Sequence, residues 1–468
     1  MKKLFGSLLL FILSTSCVCA QGINYQKSLD DALALATKNN KPVFIYIHLP
    51  MPSAPPPNLP ANIHVNYTSG LEAKEVADFY NKKFICYQVN PMDSAGIKLR
   101  DKYQLNVYPT YIFLDPKGEI FYKDNQFSPV PEKFMSMAGE ALGRLASGKT
   151  ISHYDELDKR STITGEELKE YITLREDLGL FDNSVLIDKY VNFITINSLN
   201  DYNTVLFILK AGPYAFGKAY TLCFTNKKIT DSVYKHEPAA VRSAINNHII
   251  VNTRNEAIKT KNALMAQQVA NYVRSTWGKN YTEANKASTN QLLVYYWAIK
   301  DTARYYQQAS FYYDTYYLNI SADSARKLQQ KTLDNFKKSH NIEDSVITHN
   351  KDNTTTQISK TTIVQSGPKN NSVVASALNT AAWDFYILGT HNTNYLIKAL
   401  VWCRRAIELQ PASAYYDTMA HVMYRLDFYD EAVLNQNKAV EMAANESQPK
   451  IEQDKLKKEL EKIRAHQL

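Results

Sequence analysis

The cysteines are the side chains of this chain best suited to redox or nucleophilic chemistry, but their spacing argues against thiol-disulfide exchange. The five cysteines lie at Cys17, Cys19, Cys86, Cys223 and Cys403, and no Cys-x-x-Cys motif occurs. Dithiol exchange needs one thiolate to attack and a second thiol to resolve the mixed disulfide. The last three are scattered, so at least one is free or pairs between molecules. Cys86 lies in an apolar run, which predicts an inert buried thiol.

Histidine and glycine patterns do not define a catalytic centre either. None of the ten histidines forms an H-E-x-x-H or another close ligand pair with a carboxylate. His48 and His64 flank a proline-rich segment, where either a metal or acid-base site or simple surface hydrogen bonding would fit. No nucleophile elbow, phosphate loop or dinucleotide fingerprint is found. We therefore predict no catalytic residue, no metal and no cofactor.

The first twenty residues predict export. Lys2 and Lys3 precede an apolar stretch that ends in small residues, as in a cleaved signal peptide (residues 1–20) that leaves Gln21 first. Acylation at Cys17 or Cys19 is the alternative, although Ser14 stands where a lipobox usually has Leu. We expect a periplasmic or envelope-associated protein with no transmembrane segment in the mature chain. The positive charge is spread out, so no nucleic-acid partner is predicted.

The elements that follow predict an α/β domain at residues 21–150. An amphipathic helix at residues 26–40 precedes the apolar strand 43–47. Further strands are predicted at 84–89, 107–114 and 119–122, and further helices at 72–80, 96–103 and 131–145. Alternating strands and helices of this kind favour a sheet covered by helices.

Helical patterns dominate the rest of the chain. Residues 151–342 predict an all-helical domain, in which a tyrosine-rich stripe from Tyr295 to Tyr317 is either a ligand cleft or, as we favour, a packing seam between helices. Residues 343–372 are polar and predict a linker or loop. Helical periodicity returns at 373–468, where Trp383, Ala399 and Ala406 recur 33 residues later as Tyr416, Ala432 and Ala439.

The front end resembles a thioredoxin-like fold, of the exported kind found in many Bacteroidota proteins. The resemblance rests on residues 41–47, on residues 81–86, and on residues 107–118 with their Val-Tyr-Pro-Thr segment. It implies a cis Tyr108–Pro109 bond that faces the active-site loop. By the same resemblance the Cys-x-x-Cys motif would fall at Pro52, Ser53, Ala54 and Pro55, with Met51 where a tryptophan often precedes it, and neither cysteine is present. The proline-rich sequence of this degenerate loop fits two interpretations. The loop is either a surface on which a partner docks or only a spacer.

The carboxy-terminal region resembles tetratricopeptide repeats, whose helical hairpins present a groove to peptides or partner proteins. Its signature positions would be Trp383, Ala399, Ala406 and Pro411 in one unit, and Tyr416, Ala420, Tyr429, Ala432 and Ala439 in the next. Two units are few for an independent solenoid, so we expect them to stack on the neighbouring helices. They would contact another envelope protein or peptide, or alternatively only cap the helical domain.

The sequence as a whole predicts a multidomain α/β plus all-α protein. Its parts are an N-terminal thioredoxin-like fold, a helical-hairpin domain and a tetratricopeptide-like tail. We expect an exported, redox-inactive, protein-binding or scaffolding module of the cell envelope. Two alternatives are an enzyme, either a thiol-disulfide oxidoreductase relative with a non-standard site or a hydrolase in the helical domain, and a purely structural subunit.

Overall fold

The chain forms two compact units that meet between Asn252 and Thr253. The computed structural model describes residues 22–50, 69–103, 105, 107–339, 346–349, 355–358, 372–446 and 448–468. The predicted signal peptide lies outside this range. The helices of residues 151–342 are divided between the two units, and each unit is described by itself below.

The first unit begins with a five-stranded mixed sheet. In space the strands run in the order β1-β3-β2-β4-β5. Strand β3 pairs in parallel with β1 and β2, whereas β4 pairs antiparallel with β2 and β5. Only the two-residue strand β1 has no counterpart among the predicted strands. The strands are β1 (Tyr25–Gln26), β2 (Val43–Ile47), β3 (Ile85–Val89), β4 (Thr110–Leu114) and β5 (Ile120–Asp124).

Aromatic pairs across β2 and β4 form the centre of this unit's core. Phe44 lies opposite Phe113 with ring centroids 5.1 Å apart, and Tyr46 lies opposite Tyr111 at 5.4 Å. Tyr80, from a helix below, meets Phe44 edge-on at 4.7 Å. Pairs of this kind contribute about 0.5–1.5 kcal/mol each beyond their buried area, so the β-branched and aromatic runs specify both the strands and their packing.

In the described part of the first unit, eleven α-helices accompany the sheet or follow it in the chain. Ser28 caps the first by accepting from the amide of Asp31, and Pro131 opens the fourth at a position where proline loses no hydrogen bond. They are α1 (Leu29–Asn39), α2 (Lys74–Lys83), α3 (Ser94–Tyr103), α4 (Pro131–Ala146), α5 (Ile151–Lys159), α6 (Gly165–Asp177), α7 (Ser184–Tyr190), α8 (Tyr202–Lys210), α9 (Lys218–Cys223), α10 (Lys227–His236) and α11 (Ala239–Thr260), the last of which crosses into the second unit.

The second unit is a stack of helical hairpins. Its helices are α12 (Ala263–Ser275), α13 (Tyr281–Ala298), α14 (Thr302–Tyr313), α15 (Ala322–Ser339), α16 (Val373–Ile387), α17 (Thr393–Leu409), α18 (Ser413–Arg425), α19 (Tyr429–Asn445) and α20 (Lys450–Arg464). A π-helical turn (Asp314–Leu318) follows α14. Within the predicted polar linker, β6 (Val346–His349) and β7 (Thr355–Ile358) form an antiparallel hairpin, so part of this segment is ordered into strands.

The tyrosine-rich stripe is a packing seam, as the favoured interpretation predicted. Tyr305, Tyr306 and Tyr312 are buried in one core with Phe385 and Trp402. Tyr306 meets Phe385 edge-on at 4.9 Å. Among the described helices, none combines the length and the apolar composition that crossing a membrane would require.

Candidate functional site

The loop that would carry a redox motif lies outside the described residues. This applies to Met51, Pro52, Ser53, Ala54 and Pro55, and also to His64. Nothing in the structure therefore bears on the geometry of these six positions.

The sheet end that leads into this loop is described, and it contains no assembled catalytic group. The Tyr108–Pro109 bond is cis and immediately precedes β4. His48 stacks on Tyr46 with ring centroids 4.1 Å apart, and its Nδ1 donates to the carbonyl oxygen of Leu49 at 2.9 Å. His48 therefore makes a ring contact and a local hydrogen bond just after the end of β2.

The three cysteines in the described part of the chain are all buried and free. Burial raises the pKa of the Cys86 thiol to about 12, and that of the Cys223 thiol likewise to about 12. Burial also raises the pKa of Cys403. A thiol with so high a pKa carries almost no thiolate at neutral pH, and the thiolate is the reactive form.

The repeated alanines lie where neighbouring helices approach most closely. Five signature positions are fully buried, namely Ala399, Ala406, Ala420, Ala432 and Ala439. The larger signature residues are more exposed than these alanines. Trp383 and Tyr416 are half-buried, Pro411 is exposed just before α18, and Tyr429 opens α19 and donates to Asp427. Small residues at the contacts let the two hairpins α16–α17 and α18–α19 pack tightly.

The first helix of each hairpin, together with the terminal helix, lines a groove. Residues of α16, α18 and α20 enclose a volume of about 610 Å³. This size falls in the range of about 300–1,000 Å³ that is usual for ligand pockets. The lining residues are Trp383, Tyr386, Ser413, Ala414, Asp417, His421, Gln448, Glu452, Lys455, Leu456, Glu459, Lys462 and Leu468.

Two carboxylates and an imidazole form the floor of this groove. His421 Nδ1 donates to the carbonyl oxygen of Asp417 at 2.8 Å and lies 3.7 Å from Asp417 Oδ1. The other ring nitrogen, Nε2, lies 3.5 Å from Glu459 Oε2. The floor therefore brings polar side chains of α18 and the terminal helix within 3.5 Å of each other.

Gln436 lies beneath this floor and holds Asp417 in place. Its Nε2 donates to Asp417 Oδ1 at 2.7 Å and to the carbonyl oxygen of Leu456 at 3.2 Å. Burial is the main cause that raises the pKa of Asp417, while His421 and the Gln436 hydrogen bond act in the opposite direction. Removing a carboxylate from water costs folding free energy. The partly buried position of Asp417 therefore does not by itself stabilise the fold.

Two aromatic rings form the wall beside the floor. Trp383 and Tyr386 stack with ring centroids 5.2 Å apart, and the His421 ring meets both edge-on at 5.3 Å and 5.0 Å. The guanidinium of Arg425 lies 3.9 Å from the centre of the Tyr386 ring. This wall therefore already holds one cation against an aromatic face.

The hydroxyl in the groove is not arranged as a nucleophile. Ser413 Oγ donates to Glu446 Oε2 at 2.7 Å and accepts from Gln448 Nε2 at 2.7 Å. Throughout the described ranges, His, Cys, Asp and Glu side chains do not gather in a group of three or more that could hold a metal ion. The groove is lined by carboxylates, lysines, amide and hydroxyl groups and aromatic rings.

Sequence reasoning singled out one residue of the wall, as a repeat position, and missed both Tyr386 and the floor. Trp383 belongs to the repeat signature, and Asp417 and His421 are four residues apart on one helix, a spacing that could have been read as one face. Glu459 and Gln436 carried no usable signal, because they lie on other helices and reach the floor only through the packing of the hairpins.

Comparison with known proteins adds a weak structural likeness. No protein-family model and no curated protein matches the sequence. A solved structure titled DsbH Oxidoreductase is 16% identical to this chain, and the alignment covers 30% of this chain and 95% of that one with a TM-score of 0.22.

Proposed function

We propose that this chain is an exported, redox-inactive protein that binds a peptide segment of another envelope protein in its carboxy-terminal groove. The proposal includes a thioredoxin-like fold for the amino-terminal domain and tetratricopeptide-like hairpins for the tail. The observation that carries it is the groove of about 610 Å³ lined by α16, α18 and α20. A concave surface of this size with polar groups on its floor is the usual form of a binding site.

The redox-inactive part of the proposal rests on the thiols. Cys86, Cys223 and Cys403 are buried, and burial raises the pKa of each. Positions 52 and 55 of the degenerate loop are prolines. A cycle of thiol-disulfide exchange lacks both its attacking thiolate and its resolving thiol among these residues.

The binding function is tested by filling the groove. Ala414 is exposed and lines it, so Ala414→Trp should occupy the space without disturbing the core. We expect the mature wild-type chain to retain a partner from a native envelope extract, and the variant to lose it. Leu434→Trp is the matched control, because Leu434 is 68% exposed on α19 and does not line the groove. Equal retention by both variants would move the binding surface elsewhere.

The redox and export parts are tested separately. The mature chain should not reduce insulin disulfides, and a rate that Cys86→Ala abolishes would contradict redox inactivity. For export, we expect the native protein in an envelope or periplasmic fraction with Gln21 as its first residue. An acylated amino terminus at Cys17 or Cys19 would instead show a lipoprotein.

A further inference from the structure

We propose that the groove recognises a cationic side chain, lysine or arginine, presented by the bound peptide. This inference rests on the proposed function and specifies the chemistry of its ligand. The cation would lie against the Trp383 ring, with its charged end directed to Asp417 on the floor. Four observations lead to this assignment: how deep the charged side chains lie in the groove, the unpaired acceptor atom of Asp417, the aromatic wall and the groove volume.

Negative charge lies deeper in the groove than positive charge. The side chains of Asp417 and Glu459 are 20% and 28% exposed, whereas those of Lys455 and Lys462 are 63% and 50% exposed. Lys455 pairs with Glu452, and Lys462 Nζ lies 2.7 Å from Glu459 Oε1, so a lysine of its own helix already neutralises Glu459. Asp417 has no lysine or arginine partner among the described residues, so it is the floor charge that a cationic ligand would complement.

One acceptor atom at the floor lacks a donor among the described residues. Asp417 uses Oδ1 for Gln436, and its Oδ2 has no hydrogen-bond partner there. The Oε1 of Gln436 is also unpaired, but Gln436 is fully buried beneath the floor and does not line the groove, so a ligand does not reach it. His421 Nδ1 is already used for a backbone carbonyl. A ligand with an N–H donor would therefore pair with Asp417 Oδ2.

The wall is suited to the stem and charge of such a side chain. An indole is the strongest of the aromatic partners for a cation, and Trp383 stands beside the floor with Tyr386 stacked on it. Arg425 shows that a guanidinium already packs on this wall at 3.9 Å from the Tyr386 ring centre. The groove volume of about 610 Å³ leaves room for a long side chain together with its flanking backbone.

The test uses immobilised short peptides of random sequence, probed with the full mature chain. We expect the bound peptides to be enriched in lysine or arginine. For the tightest of them, replacing that residue by norleucine keeps the stem and removes the charge, and should weaken binding about tenfold or more by fluorescence anisotropy. Asp417→Asn should weaken binding of the original peptide by a similar factor.

The decisive result is the combination of the two changes. Because both would remove the same contact, Asp417→Asn should cost little further affinity for the norleucine peptide. Additive losses, enrichment in acidic peptides, or no peptide bound would each overturn the cationic assignment.

Ala414→Trp separates the two proposals. If it abolishes binding of peptides that show no charge preference, the groove function stands and only this inference fails. If it leaves all binding intact, the groove function itself is wrong. The norleucine arm needs no protein variant, so it remains decisive should Asp417→Asn not fold.

Discussion

Glu176 is a half-buried carboxyl group whose pKa burial raises close to neutral pH. It lies on α6, its Oε1 has no hydrogen-bond partner in the described part of the chain, and burial raises its pKa to about 7. A raised folded-state pKa stabilises the fold fully below the unfolded pKa, and this contribution is lost as the pH rises through the folded pKa.

Glu176→Gln should therefore stabilise the first unit in alkaline solution. The amide keeps the shape of the protonated acid and cannot ionise, so we expect a gain of about 2 kcal/mol at pH 8 that disappears below about pH 4.5. The measurement is urea unfolding followed by pulsed labelling of Cys223, a buried thiol of the same unit, with 2,2′-dipyridyl disulfide, which reacts with thiols in acid as well as in alkali. A gain that is equal at both pH values would indicate a packing effect instead.

Glu170→Gln on the same helix is the control of opposite sign. Hydrogen bonds from Lys149 and Tyr154 lower the pKa of Glu170. A depressed pKa contributes stability above the unfolded value, which is lost as the pH falls through the folded one. This variant should therefore show no gain at pH 8, and a small loss instead.

Residues differ in how far the sequence could predict their roles. Cys86 could be placed correctly, because an apolar strand leaves a thiol no other environment than the core. Asp417 could be placed on a helix but not in a groove, since its partner Gln436 belongs to the next helix and Glu459 to the terminal one. The secondary structure around a side chain can be predicted from the sequence. The charged groups that contact it from other helices depend on how those helices pack.

At the scale of elements, the hairpin α16–α17 depends on small residues at its contact. Ala399 is fully buried on α17, and α16 and α17 pack side by side. We expect Ala399→Leu to lower the free energy of unfolding of the second unit by about 1–3 kcal/mol, because extra methyl groups force side chains or backbone to shift. All four tryptophans (Trp277, Trp297, Trp383 and Trp402) lie in this unit, so tryptophan fluorescence in urea measures it selectively.

Ala444→Leu is the matched control for this substitution. Ala444 lies on α19 in the same unit and is exposed. The same change there should alter the free energy of unfolding by no more than about 0.5 kcal/mol. Equal losses for the two variants would mean that the effect comes from leucine in a helix and not from the buried contact.

Elements were predicted best where burial is continuous. Strand β2 has a run of apolar residues bounded by prolines, and its range was predicted from that pattern alone. Strand β1 has only two residues and exists because Tyr25 and Gln26 pair with Cys86 and Tyr87, a partner that no local pattern shows. The segment 343–372 was predicted as a linker for a similar reason, because the pairing of β6 with β7 is a relation between two short polar stretches.

At the scale of the whole molecule, the boundary between compact units was the feature hardest to read. The sequence pattern changes from α/β to all-helical near residue 150, but the compact units divide at Asn252 and Thr253, within the continuous helix α11. A boundary inside a helix leaves no proline, glycine or polar signal. The position of the boundary depends on which helices share a core. Local sequence does not show this, because the shared core forms only when the hairpins pack.

Two compact units should respond separately to a change made in one of them. Cys86 and Cys223 report on the first unit and Cys403 on the second, and all three are buried until their surroundings unfold. In Ala399→Leu, we expect the urea midpoint for alkylation of Cys403 to fall, while the midpoints for Cys86 and Cys223 stay where they are in the wild type. Mass spectrometry of the labelled peptides measures all three in one experiment. If the three midpoints fell together, the chain would unfold as one cooperative body, and the free energies argued above for each unit would belong to the whole molecule instead.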